Sequence, residues 1–238
     1  MKYFVKKNFS GYDCHADDFL SDANKVVLAN DSDEDFYRMI CFQNAVLVKA
    51  KREIYDWSKD FASKYIGFRC IDVYQSAILH GELLKYGYTM SGGQGLLPDI
   101  TVKRRKPEID FRMQIFEQNE MANLCGQINP SEWHMCRPSE KTALAVAAYD
   151  KDRIIGLSSA DSDTDKLWSI DAETLPEYRK KGVAVALTTQ ITNILLSRGI
   201  IPFATGAWSN VAAKTTLYQC GYYPAWSEIA SCNIEAYG

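Results

Sequence analysis

The segment Leu175-Pro-Glu-Tyr-Arg-Lys-Lys-Gly-Val-Ala184 joins an apolar run of strand length to an apolar run of helical length. Three basic residues, Arg179 to Lys181, stand directly before Gly182. The first turn of a helix has N–H groups without helical partners, and the helix dipole favours an anion there. Gly182 lets the backbone approach a phosphate closely, and Ala184 leaves the next turn uncrowded. The segment therefore predicts a phosphate-binding turn, with a plain glycine turn and solvated bases as the alternative.

The elements around this turn follow from the hydrophobic pattern, which predicts three antiparallel strands and then alternating helices and strands. In chain order they are strands at 142–149, 153–160 and 167–175, a helix at 183–196, a strand at 200–205, a helix at 210–219 and a strand at 222–230. The turn lacks both GxxxxGK[ST] and GxGxxG, which excludes a P-loop and a dinucleotide fingerprint.

The amino-terminal part, residues 1–106, is predicted to be a mostly helical accessory region without a motif of its own. One helix is expected over 36–64 and a second over 70–85, ending at Gly87. The glycine-rich stretch 91–95 is expected to be a flexible turn. The basic run 103–106 is interpreted as a solvated linker, so residues 107–238 form the second domain.

Composition limits the class of protein. The chain has 238 residues, of which 47% are hydrophobic and 24% charged, as in ordinary globular proteins. The net charge of −3 argues against a nucleic-acid partner, and no apolar run is long enough to cross a membrane. Seven cysteines without a CxxC motif favour free thiols in the cytoplasm, and three scattered histidines predict no metal site.

The motif Arg179-x-x-Gly182-x-Ala184 resembles the acetyl-CoA signature of the GCN5-related N-acetyltransferase (GNAT) family. Asn210, Ala213 and Gly221-Tyr222 resemble a second block of that family, at the expected distance. The resemblance covers roughly residues 108–238 and is closest to zwittermicin A resistance acetyltransferases. It implies an α+β fold, with a central, mostly antiparallel twisted sheet flanked by helices.

The resemblance also implies how acetyl-CoA is bound. The backbone of Thr174 and Leu175 would hold the acetyl and pantetheine end, where the strand separates from its neighbour and leaves N–H groups unpaired. Asn210 would support the cofactor arm at the start of its helix. The pyrophosphate would bind the turn that consists of Arg179, Lys180, Lys181, Gly182, Val183 and Ala184.

The acceptor amine needs a general base, because a protonated alkylamine, with a pKa of about 10.4, has no lone pair. Asp171 and Glu173 share one face of an ideal strand, and either can be that base, although a bulge would change which face each takes. Otherwise one belongs to a hydrogen-bond network and the other faces solvent.

The general acid is a departure from the family pattern. Many members have a tyrosine seven residues after the asparagine, where this chain has Leu217. Tyr218 follows one residue later, rotated by about 100° on the helix. It is either the general acid, turned inward by a bulge, or a packing residue.

The sequence thus predicts an enzyme that transfers an acetyl group to a primary amine of a small, antibiotic-like molecule in a ternary complex. A non-catalytic acyl-CoA-binding module and a protein or peptide N-acetyltransferase are the alternatives. A homodimer is compatible with the sequence.

Overall fold

The computed structural model describes residues 2–42, 44–104, 109–134 and 136–237. They form two compact units. The first unit consists of Met1–Gly95, Gly206–Ser209 and Pro224–Gly238, and the second of Leu96–Thr205 and Asn210–Tyr223. The domain boundary expected between residues 106 and 107 falls outside the described residues and stays a prediction.

The first unit contains both helices and strands. Strand β2 pairs antiparallel with β3 and β10, and β1 joins β3 in parallel. The elements are α1 (Lys2–Asn8), β1 (Lys25–Leu28), β2 (Tyr37–Phe42), β3 (Ala45–Ala50), α2 (Arg52–Lys64), α3 (Val73–Leu84) and most of β4 (Tyr88–Pro98) and β10 (Tyr222–Asn233).

The helix expected over 36–64 is wrong in its first half, where β2 and β3 stand instead, so this region is helical only in part. The side chains of β3 are buried on both faces of the strand. A strand covered on both faces has no polar alternation, and its apolar run then resembles part of a buried helix. The second predicted helix is confirmed as α3.

The flexible turn expected at 91–95 is also wrong, because these residues lie within β4. A Cβ atom on Gly92 would lie 2.3 Å from the Trp208 ring, and one on Gly95 would lie 1.8 Å from the Trp226 ring. These glycines therefore allow two indole rings to approach the strand closely, which is the other common use of glycine in a sheet.

The second unit contains the segment that carries the acetyl-CoA motif. Its strands have the order β9-β8-β7-β6-β5, in which β8 and β9 are parallel and all other neighbours antiparallel. The elements are β5 (Arg112–Glu117), α4 (Met121–Gln127), β6 (Thr142–Asp150), β7 (Arg153–Asp161), β8 (Leu167–Thr174), α5 (Val183–Ser197), β9 (Ile201–Ala207, which enters the first unit at Gly206) and α6 (Val211–Gln219).

Two apolar cores cover the two faces of this sheet. Helix α5 packs its buried stripe on one face, against alternate residues of β6 and β7 such as Leu144 and Ile155. Helix α4 and Trp133 pack on the other face, against Ala145 and Leu157. The mixed α/β class with a mostly antiparallel sheet is confirmed, and so are the seven predicted elements from β6 onward, within one to three residues at each end.

Gly156 sets the distance between β7 and α5. A Cβ atom at this position would lie 2.5 Å from Val183 Cγ1 and 2.8 Å from Leu187 Cδ1. Because both contacts are with packed core residues, we expect Gly156→Ala to lower the free energy of unfolding by about 1–3 kcal/mol. Gly81→Ala, in helix α3 with nothing within 4 Å, is the matched control and should stabilise by up to about 1 kcal/mol. Urea denaturation of both variants measures the difference, and equal stabilities would contradict the close packing.

Candidate active site

Strands β8 and β9 separate shortly after they begin. Their parallel pairing covers only Leu167 to Ser169 on β8, opposite Ile201 to Phe203 on β9. Beyond this point β8 continues to pair with β7 alone. Because N–H groups alternate in direction along a strand, those of Ala172 and Thr174 point away from β7, into the gap.

The expectation for Leu175 needs a correction. Its N–H group donates to the carbonyl of Ile155 at 3.0 Å, so it is not one of the unpaired groups at the separation. Its side chain is buried in the core on the α4 face. The groups that remain on the open edge of β8 are therefore those of Ala172 and Thr174.

A cleft of about 130 Å³ lies at the separation. Several of the side chains that line it are small, among them those of Ala172, Ala184 and Ala204. Its lining comes from β8 (Ile170, Asp171, Ala172), α5 (Ala184, Thr188), β9 (Ala204, Thr205) and α6 with its N-cap (Asn210, Ala213, Thr216, Leu217).

The basic turn stands at the start of α5, as the sequence predicted. Gly182 is the N-cap with φ of +78°, a conformation that costs glycine nothing, and no side chain caps the helix. The first-turn N–H groups of α5 are thus available to an anion. Arg179, Lys180 and Lys181 are exposed around them, and Arg179 Nε donates to the Thr174 carbonyl at 3.2 Å. Lys180 also has a positive φ, of +61°, which is uncommon for a residue other than glycine.

Asp171 and Glu173 lie on the face of β8 that points away from α5, because the neighbouring Ile170 packs in the core with α5. The register between β7 and β8 is uninterrupted from Ser169 to Thr174, so the bulge considered above does not occur there. Burial raises the pKa of Asp171, and the nearby carboxylates of Asp161, Asp163 and Glu173 raise it further. A carboxylate whose pKa is raised is the better proton acceptor at neutral pH.

Glu173 has a different environment. Its Oε2 atom accepts the backbone N–H of His134 at 3.0 Å and that of Cys136 at 3.4 Å. These bonds fix the orientation of the Glu173 carboxylate and use one of its two oxygens for contacts within the chain. The structure thus separates the two carboxylates that the sequence left equivalent.

Helix α6 contributes two of the predicted positions. Asn210 is its N-cap, accepts the Ala213 N–H at 3.1 Å and lines the cleft. Leu217 is buried and also lines the cleft, whereas Tyr218 is 46% exposed and does not. The structure therefore gives Tyr218 no place beside the other candidate residues.

Comparison with known proteins finds a similarity in this part of the chain. Residues 112–222, just under half of the chain, match the model of the Acetyltransferase (GNAT) family. The matched segment contains β8, the basic turn, α5 and α6, which are the elements that form the cleft. No curated protein matches the sequence at a significant level.

Solved structures of GNAT proteins are similar to the chain at low sequence identity. A GCN5-related N-acetyltransferase-like protein of Streptococcus suis is 14% identical, with 79% of this chain and 70% of that chain aligned and a TM-score of 0.49. A GCN5-related N-acetyltransferase of Kribbella flavida is 15% identical, with 63% of this chain and 61% of that chain aligned and a TM-score of 0.48. An acetyltransferase from the GNAT family of Colwellia psychrerythraea is 13% identical, with 65% of this chain and 61% of that chain aligned and a TM-score of 0.45. The chain thus spans less than two thirds of the last two.

Two further residues near the candidate site were not predicted from the sequence. Thr188 lines the cleft and Cys136 lies on the carboxylate face, but neither belongs to a motif. Their positions depend on how α5 and the segment after α4 pack, which no local pattern reports. Within the described residues there is no group of three or more potential metal ligands, and no helix long and apolar enough to span a membrane.

Proposed function

We propose that the protein is an N-acetyltransferase that uses acetyl-CoA and acetylates a primary amine of a small, antibiotic-like molecule. One observation carries the proposal. The cleft between β8 and β9 has the basic turn of α5 at the same strand end, and Asp171 lies on the strand that forms its edge.

The described residues fit acetyl-CoA. The amides of Gly182 to Ala184 and the three basic side chains would hold the pyrophosphate, because both the helix dipole and the charges favour an anion. The Ala172 and Thr174 N–H groups on the open edge of β8 would pair with the amides of the pantetheine arm. The bound thioester supplies an activated acetyl group.

Asp171 removes the proton from the acceptor ammonium, directly or through water, so that the neutral amine can attack in a ternary complex. A general base of this kind typically contributes about 10²- to 10⁴-fold. No metal takes part in this proposal. The resemblance of the motif to that of zwittermicin A resistance acetyltransferases motivates the choice of an antibiotic-like acceptor and of a cytoplasmic enzyme.

A second candidate, a non-catalytic acyl-CoA-binding module, is favoured by one specific observation. Leu217 stands in the cleft where many relatives have a tyrosine that protonates the thiolate, and Tyr218 faces solvent. In the proposed enzyme the thiolate leaves without a side-chain acid or is protonated by water.

A thiol-release assay separates the two candidates. The protein is incubated with acetyl-CoA and a panel of di- and polyamines, aminoglycosides, amino acids and peptides with free amino termini. Release of CoA that requires one class of amine, with mass spectrometry of the acetylated product, supports the enzyme and names the acceptor. Binding of acetyl-CoA without turnover on any amine would support the binding module, and acetylated peptides alone would contradict a small-molecule acceptor.

A further inference from the structure

The residues after α4 form a connecting segment, defined here as residues 128–134 and 136–141, which leads from this helix to β6. It has no helix or strand, yet two of its side chains are anchored in the core on the carboxylate face. Trp133 is 2% exposed and Cys136 is fully buried. The connecting segment is therefore held in place by burial at these points and not by a backbone ladder.

Glu173 ties the backbone of the connecting segment to β8. Its Oε2 accepts the N–H groups of His134 and Cys136, at 3.0 and 3.4 Å. Charge-assisted bonds of this type are among the stronger hydrogen bonds in proteins. A buried N–H without a partner is costly, so the carboxylate satisfies the N–H of the buried Cys136, which the irregular segment does not pair itself.

Cys136 brings the connecting segment next to Asp171. Its backbone N–H donates to Glu173, which is two residues from Asp171 on the same face of β8. Asp171 is close enough to raise the pKa of the Cys136 thiol, after the larger effect of burial. The connecting segment thus lies on the same face of the sheet as Asp171 and Glu173.

A second tether of the connecting segment is exposed. Arg153 pairs with Glu132 at 2.9 Å and also with Glu177 at 2.9 Å, and all three side chains are largely in solvent. Exposed ion pairs contribute little to stability. The bond from the Cys136 N–H to Glu173 is partly buried, and we therefore expect Glu173 to have the larger part in holding the connecting segment in place.

We propose that Glu173 is a positioning residue that latches the connecting segment over Asp171 and so forms the wall against which the acceptor amine is held. The part of this inference that concerns the acceptor amine rests on the proposed function. The latch itself concerns only the chain's own contacts and is tested without substrate.

Cys136 provides the direct test, because a buried thiol of raised pKa reacts slowly with alkylating reagents. The labelling rate of the Cys136 peptide is followed by mass spectrometry in the wild type, Glu173→Ala, Glu173→Gln and the control Glu132→Gln. We expect a rise of about tenfold or more in Glu173→Ala, as for the loss of a hydrogen bond to a charged group. Glu173→Gln should be intermediate because its amide oxygen still accepts, and Glu132→Gln should equal the wild type. Exposed Cys125 serves as the internal reference.

Kinetics with an amine found in the thiol-release assay distinguish positioning from chemistry. In Glu173→Gln we expect KM for the amine to rise several-fold while kcat stays within about threefold, as when ground-state binding is lost. Unchanged labelling of Cys136 in Glu173→Ala, with the fold intact by circular dichroism, would overturn the latch. So would a loss of kcat in Glu173→Gln as large as in Asp171→Asn. If no amine is turned over at all, the proposed function fails while the labelling result still decides the latch.

Discussion

Asp171→Asn should lower kcat by about 10²- to 10⁴-fold and at the same time raise the thermal stability at neutral pH. The loss of activity follows from the loss of the general base. The gain in stability follows because the fold buries the Asp171 carboxylate among like charges, which raises its pKa. An amide avoids the cost of that buried charge.

The sign of the stability change depends on pH. Because the pKa of Asp171 is higher in the folded protein than in the unfolded chain, the folded protein binds the proton more tightly. Stability therefore falls as pH rises from the ordinary aspartate pKa of about 3.9 through the raised value. The wild type and Asp171→Asn should converge at low pH and diverge at neutral pH.

The control for this prediction is Asp152→Asn, an exposed aspartate in the β6–β7 turn. It should leave both kcat and the unfolding temperature unchanged. Unfolding curves at several pH values and steady-state rates with an identified amine provide the measurements. An Asp171→Asn protein with wild-type kcat would exclude Asp171 as the base.

Gly182→Glu should abolish acetyl-CoA binding. It places a negative charge beside the basic turn and puts a side chain on a residue with φ of +78°, which costs roughly 1–2 kcal/mol. In the wild type, acetyl-CoA at about 100 times its Kd should add about 2.7 kcal/mol of stability. For a chain of this size that corresponds to roughly 5–11 °C.

Gly199→Glu is the matched control, because Gly199 follows α5 with φ of +70° and lies at its other end. It suffers the same backbone strain but leaves the phosphate turn intact, so its shift with acetyl-CoA should equal that of the wild type. Thermal unfolding with and without the ligand tests all three proteins. A full shift in Gly182→Glu would mean that the turn does not hold acetyl-CoA.

The sequence predicted the second unit well because its signals are local. The glycine before α5, the asparagine at the start of α6 and the polar turn 150–152 between β6 and β7 act within a few residues. The failure in the first unit has a physical cause as well. Strands β2 and β3 are almost entirely buried, like β6 and β7, but only Lys51 separates β3 from α2, so their apolar runs merge with the helical pattern.

The short motif around Gly182 by itself determined the basic turn, the start of α5 and the resemblance to the GNAT family. The choice between Asp171 and Glu173 was decided only by the tertiary structure. Both residues share one face of β8, and a local pattern treats them alike. Residues nearly forty positions earlier in the chain bring two N–H groups to Glu173, whereas Asp171 lies among carboxylates. Hydrogen bonding and burial at long sequence separation give the two carboxylates different surroundings, and this difference supports the proposal that Asp171 is the general base.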